Sequence, residues 1–410
     1  MMTKQSYVTR NFFTQKGFLT GFTIVINTYS WFFPLYIFFE ELLDNIVRDY
    51  ITFACVIGIH YLASMISAFV GVFLVCKFGN RDKVLIPWML IGTLASSLLA
   101  FTSKTSSYSY LYFISILLGV SLGFGFPSCL AYFADYNTKN KGRRAGVTFL
   151  ISGLGILIVG LAITSLPFIA KVAIFTLWRG VGCVLFLLTR PTQEKTQIGF
   201  NVSYRFVLQE RAFTLYFIPW IMYCIINYLE ASLLRDFFGP EFHLFVLVAE
   251  FGIGGIVALI SGYLSDLIGR KRIIVFGYVM LGIGYAFLGL FPNNIISWYF
   301  YVIVDGVSLG VFALAFFIVI WGELAANRFK EKYYLLGEMP YLILSYVGIA
   351  IKPYVQLIPV SSAFSLAAFF LFLALIPLMY ASETLPEKKI KERELKKYIE
   401  KAKKIKEKYN

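Results

Sequence analysis

Twelve stretches of about 20 mostly apolar residues divide this chain, and no other property restricts its fold so severely. A helix of that length crosses the roughly 30 Å hydrocarbon core of a bilayer. In lipid every backbone N–H and C=O must find its partner within the chain, so helices and closed barrels are the available spanning structures. The runs are continuously apolar, without period-two alternation, and are read as helices. They lie at 17–39, 50–76, 84–103, 107–132, 145–166, 168–189, 212–234, 242–264, 273–291, 296–321, 335–357 and 362–380. Composition agrees: 59% of residues are apolar and 15% charged, and the mean hydropathy of +0.73 excludes a water-soluble domain. Met1 to Lys16 is too polar for a cleaved signal peptide, so the first helix is expected to be retained.

Cations fix the expected orientation. Lys4, Arg10 and Lys16, then Lys77, Arg81 and Lys83, then Lys139, Lys141, Arg143 and Arg144 all fall on one side, as do Arg190, Lys195, Arg205, Arg211, Arg270, Lys271, Arg272, Arg328, Lys330 and Lys332. The other side holds Arg48, Lys104 and Arg235, with the acids Glu40, Glu41, Asp44 and Asp49 nearby. The positive-inside rule therefore predicts a multi-pass cell-membrane protein with both termini in the cytoplasm. Of the net charge of +14, +7 sits in residues 388–410, so it is not read as affinity for nucleic acid. Leu395, Ile399, Ala402, Ile405 and Tyr409 recur there every three or four residues. That spacing suits a helix lying on anionic headgroups, and a solvated tail is the alternative. Five cysteines without a CxxC spacing, and two histidines, support neither a metal site nor a disulfide framework, and no cofactor is implied.

Self-similarity reveals the organisation. Gly119-Val-Ser-Leu-Gly123 in the fourth run recurs letter for letter as Gly306-Val-Ser-Leu-Gly310 in the tenth, an offset of 187 residues. Gly79-Asn80-Arg81 follows the second run as Gly269-Arg270-Lys271 follows the eighth, Asp135 closes the fourth as Glu323 closes the tenth, and Ile26-Asn27 is matched by Ile226-Asn227. An ordered series of matches implies a duplicated six-helix bundle: an all-α integral membrane protein of twelve transmembrane helices in two pseudo-symmetric halves. The boundaries read as 1–189 for the first bundle, 190–211 for a cytoplasmic linker, 212–385 for the second bundle and 386–410 for a basic tail.

The connection after the eighth run, Gly262-Tyr-Leu-Ser-Asp266-Leu-Ile-Gly269-Arg270-Lys271-Arg272, closely resembles the loop between the second and third helices of each half in the major facilitator superfamily. Gly123-Phe-Gly-Phe-Pro127 through Asp135 to Gly142-Arg-Arg-Ala-Gly146 resembles that family's glycine-rich fourth helix and the loop after it. Ser382-Glu-Thr-Leu-Pro-Glu387 is similar to the Glu-Thr segment after the last helix of sugar and metabolite porters. The resemblance covers nearly the whole chain and implies two halves rocking about a midplane site, with the first, fourth, seventh and tenth helices lining the cavity. It also implies that Gly262, Asp266, Gly269, Arg270, Lys271 and Arg272 form a conformational latch. The acid position of the first-half copy holds Cys76, so Asp266 is expected to carry the latch largely alone. No Arg precedes Gly119, and Ser152 to Gly160 lacks the glycine-proline signature of antiporters.

Charge within a span costs about 2.5–3.5 kcal/mol or more, so each such residue needs a reason. Asp305, about nine residues into the tenth run, is the first candidate for substrate contact or proton binding. Glu230 and Glu250 are read either as coupling groups, as an outer gate neutralised by Lys352, or as lining an outer vestibule. Arg179 either snorkels or plays a structural part, or meets an anionic substrate; His60 is read as a core histidine before a pH-sensitive gate. Asn27, Tyr29 and Ser30 on the first run and Tyr223, Asn227 and Tyr228 on the seventh offer hydrogen-bonding groups to an uncharged solute at matching depths. The chain thus reads as a monomeric, proton-coupled symporter of a small organic solute such as a sugar or other metabolite, and not as an enzyme. An uncoupled facilitator, a drug or metabolite exporter, and a transporter-like sensor are the alternatives. No Walker-type phosphate loop supports ATP hydrolysis.

Overall fold

The computed structural model describes residues 4–103, 106–137, 140–191, 199–355 and 357–385, with the side chains outside 4–14, 231–244 and 355. The proposed headgroup-binding tail at 386–410 lies outside the described residues. Helices make up nearly all of the described chain, and twelve of them are long and apolar enough to span a bilayer. The first six are Gln15–Ile46, Tyr50–Phe78, Asp82–Phe101, Tyr108–Tyr136, Lys141–Ser165 and Phe168–Thr189. The second six are Arg211–Glu230, Phe245–Ile268, Arg270–Leu290, Ile295–Ala325, Lys330–Tyr354 and Val360–Tyr380.

These spans match the apolar runs closely, and three of the extensions share one cause. The fourth, tenth and eleventh spans reach beyond the expected limits, to Tyr136, to Ala325 and back to Lys330. Asp135, Glu323 and the Lys330–Lys332 cluster interrupt the apolar pattern, yet the helices continue through them because these charges meet ionic partners there. All three extensions lie at one end of the bundle, where residues 199–210 also pack.

The repeated pentapeptide marks the tightest helix contacts. A Cβ on Gly119 or Gly123 would overlap the carbonyl oxygens of His60 or Ser64 on the second span. One on Gly310 would overlap Gly254 O on the eighth. Each copy lets the fourth member of its half lie backbone to backbone on the second, the usual result of small residues spaced four apart in lipid. Just beyond the repeat both helices depart from regular α-geometry. The fourth span breaks between Gly123 and Phe126, and the tenth widens into a π-helix at Ala313–Val319. Such irregularities frequently accompany functional sites, and these two flank the centre of the molecule.

The two most extensive pairings between the first six spans and the last six involve the fifth and the second. The fifth lies along the eighth, where a Cβ on Gly142 would overlap Gly262 O and one on Gly146 would overlap Ala258 O. The second lies along the eleventh, where Tyr61 and Ser345 share a hydroxyl–hydroxyl hydrogen bond of 2.5 Å. Outward faces are apolar: Leu62, Ile66 and Phe73 on the second span are 55%, 57% and 63% exposed, as a lipid-facing surface requires.

Candidate functional site

Between the halves a cavity of ≈ 20 Å³ remains, about the space one water needs. Thr28, Tyr29, Phe32 and Phe33 of the first span, Leu122 and Phe126 of the fourth, Phe317 of the tenth, and Glu338, Tyr341 and Leu342 of the eleventh line it. The helix break puts Phe126 on one wall and the π-turn puts Phe317 on the other, so both irregularities serve the same space. Phe317 and Tyr341 meet edge to face at 4.8 Å, and Tyr29 lies 6.0 Å from Phe126 and 6.1 Å from Phe317.

Glu338 is the cavity's charged lining residue. Its side chain is buried, and Oε1 has no hydrogen-bond partner. The Trp321 indole nitrogen lies beside it but likewise lacks a partner of acceptable geometry. The sequence reading missed Glu338 because the eleventh apolar run was begun at 335, which left this residue near the helix entrance. A signal was nevertheless present. Glu331, Glu338, Ser345 and Lys352 recur every seven residues, so they form one stripe of the helix. The first three of them face the first half, at Arg81, the cavity and Tyr61.

A second acidic group lies within the last six spans. Glu230 accepts hydrogen bonds from the hydroxyls of Tyr285, at 2.9 Å, and Tyr301. Tyr301 also lies beside Asp305, and Asp305 lies beside Glu250. The three acids named from the sequence are therefore neighbours, linked by tyrosine. Glu230 is held by hydroxyls rather than by a salt bridge to Lys352.

The other expected residues scatter. Tyr29 reaches the cavity, and its hydroxyl donates to Phe317 O at 3.4 Å. Asn27 turns into the first bundle, donating to Trp178 O at 2.7 Å and accepting from Arg179 at 3.0 Å. Ser30 accepts from the Trp178 indole. Tyr223 donates to Asn227 at 3.1 Å and stacks on Trp220, while Tyr228 packs against Tyr341. Arg179 does not snorkel. It is 1% exposed, 4.2 Å from the Trp88 ring and 4.7 Å from the Trp31 ring, and donates to Thr28 as well as Asn27. His60 is a buried core residue, edge-on to Tyr61 at 5.2 Å.

Ionic clusters close the linker end. Asp266 accepts from the N–H groups of Gly142, at 3.1 Å, and Arg143, at 2.9 Å, so a carboxylate from the second half caps the fifth span. This position suits the positive end of a helix dipole. Arg270 binds Asp266 at 2.7 Å and Glu323 at 3.3 Å. Gly269, at φ 105°, passes so close to Glu383 that a side chain there would collide with it, and Glu383 accepts from the N–H groups of Arg270 and Lys271. Lys271 also donates to Met379 O and Ala381 O, whereas Arg272 is exposed.

Asp266, expected to act largely alone, has an ionic counterpart across the divide at this end. Arg81 binds Asp135 at 2.6 Å within its own half and Glu331 at 2.5 Å across the divide, while Lys330 binds Asp135 at 2.7 Å. The acid missing at Cys76 is supplied from the opposite half. Burial would lower the Arg81 pKa, but the carboxylates of Glu331 and Asp135 outweigh it and hold the guanidinium above its ordinary value. At the far end Tyr50 donates to Ile349 O, so the second and eleventh spans are tied together there as well.

No curated protein matches the chain in sequence. Among solved structures it is similar to the MFS proton:xylose symporter XylE bound to 6-bromo-6-deoxy-D-glucose. That match has a TM-score of 0.68 and 14% identity, covering 91% of this chain and 97% of the other. It is also similar to the human organic anion transporter MFSD10 (TETRAN), with a TM-score of 0.64 and 12% identity, covering 89% of this chain and 98% of the other. A sequence profile of the Major Facilitator Superfamily matches residues 20–312, and with twelve spans paired as above this multi-pass membrane chain belongs to that transporter superfamily.

Proposed function

We propose that this protein is a secondary active transporter that moves a small organic solute, a sugar or other metabolite, across the cell membrane together with a proton. It works by alternating access, as a monomer with both termini cytoplasmic. The two bundles, divided by the linker at 190–211, rock about the central cavity. The ionic clusters around Asp266 and Arg81 close the cytoplasmic side, and the contact between the second and eleventh spans closes the other.

The observation that supports the coupling is the gathering of Glu230, Asp305 and Glu250 around Tyr301 within the second bundle. Buried carboxyls with strongly altered surroundings are where proton carriers are sought. In liposomes loaded with a pH-sensitive dye, solute uptake should acidify the lumen, and Asp305→Asn should abolish both acidification and uphill accumulation while leaving solute exchange intact. Accumulation that survives Asp305→Asn overturns this assignment. Exchange of solute for a proton is a second reading, favoured by the unpartnered carboxyl of Glu338 at the cavity, and it predicts alkalinisation instead.

A further inference from the structure

We infer that the central cavity selects a positively charged organic solute, an ammonium-bearing molecule, and that Glu338 is the group that recognises its charge. The inference rests on the transport reading above and narrows its substrate class.

Six of the ten lining residues are aromatic: Tyr29, Phe32, Phe33, Phe126, Phe317 and Tyr341. Ring faces carry negative quadrupole charge, so such a wall attracts a cation and disfavours an anion. Two of the three lining hydroxyls are already engaged. Thr28 donates to Ile24 O at 2.7 Å and accepts from Arg179, and Tyr29 donates to Phe317 O, while the Tyr341 ring packs on Tyr228 at 5.2 Å. A polyhydroxylated solute entering here would leave most of its donors and acceptors unpaired, at a cost for each.

Against that wall stands Glu338, 3% exposed, with Oε1 unpartnered. A buried carboxylate must be neutralised or matched by a cation; among the described residues no Lys or Arg lines the cavity, and Arg179 is held behind Thr28 between Trp31 and Trp88. A proton can neutralise the carboxyl while the cavity is empty, and the cationic group of a solute takes the proton's place on binding. Rings to enclose an ammonium group and a single carboxylate to pair with it make up an aromatic cage. The empty cavity admits about one water, so the loaded conformation is wider.

The test uses the full-length protein in detergent, with unfolding followed by intrinsic fluorescence. Methylammonium, choline and benzyltrimethylammonium span a range of sizes, with xylose, lactate and sodium chloride at equal concentration as comparators. At least one ammonium should raise the unfolding temperature saturably. Glu338→Gln should raise the concentration needed at least about tenfold, as expected when one charge-assisted contact is lost. The same variant should leave the unliganded unfolding temperature unchanged or higher. Should Glu338→Gln fail to fold, Phe126→Leu and Tyr341→Leu, which remove ring faces, carry the test through the same loss of ammonium stabilisation. Stabilisation by xylose or lactate that Glu338→Gln leaves intact overturns the inference, as does the lack of a Glu338-dependent shift with all three ammonium probes. Dye-reported proton movement in the wild type reads the transport proposal separately, so either reading can fail while the other stands.

Discussion

Replacing Glu331 by Gln probes the latch that spans the two halves. Glu331 is fully buried and accepts from Arg81 Nε at 2.5 Å, while Asp135 holds the same guanidinium at 2.6 Å from its own half. The group of Arg81, Lys330, Asp135 and Glu331 carries no net charge, and the substitution leaves it with one excess positive charge. Stripping a buried ion of its partner costs about 3–5 kcal/mol. Gln still accepts one hydrogen bond and Asp135 remains, so we expect about 2 kcal/mol against the closed state, roughly a 30-fold shift towards opening at the linker end. Spin labels at the exposed positions Lys83 and Arg272 would report it, with the accessible Cys55 and Cys76 first replaced by Ser. The distance distribution between them should lengthen in Glu331→Gln, and the solute-uptake rate should fall. Unchanged distances with unchanged uptake would refute the cross-half latch, because the pair would then contribute equally to both conformations.

Asp266→Asn loses most of the cap on Gly142 and Arg143 and the pairing with Arg270, so transport should fall as far as in Glu331→Gln, whereas Cys76→Ser should transport normally. Gly123→Ala and Gly310→Ala push a methyl into a neighbouring carbonyl, and each should lower stability by about 1–3 kcal/mol; Gly160→Ala, with nothing within 4 Å of its Cβ position, should be neutral or slightly stabilising in the same thermal assay. Arg179→Lys keeps the charge but loses the planar stack between Trp31 and Trp88. It should therefore lower the unfolding temperature by several degrees, and an unchanged value would show that the two rings contribute little.

The apolar runs alone determined that the chain spans a membrane twelve times, because a helix's need to satisfy its backbone in lipid depends on composition and length and hardly on neighbours. The duplication was also legible. Gly119-Val-Ser-Leu-Gly123 and its copy are retained as letters because each packs backbone against backbone. The loop of Asp266 and Arg270 could be read for the same reason: its charges act within a few residues or on an adjacent helix end.

Which side chains meet across the divide was decided only by the tertiary structure. Arg81 and Glu331 stand 250 positions apart, and their pairing depends on how the second and eleventh spans are rotated and set in depth. Helices apolar on every side carry little record of that rotation. Asn27 and Ser30 sit on the first span beside Tyr29, yet a turn of the helix sends them into the first bundle and Tyr29 to the cavity. Glu338 belongs to a helix that begins at Lys330, which draws it two turns inward from Glu331 and buries it against aromatic rings.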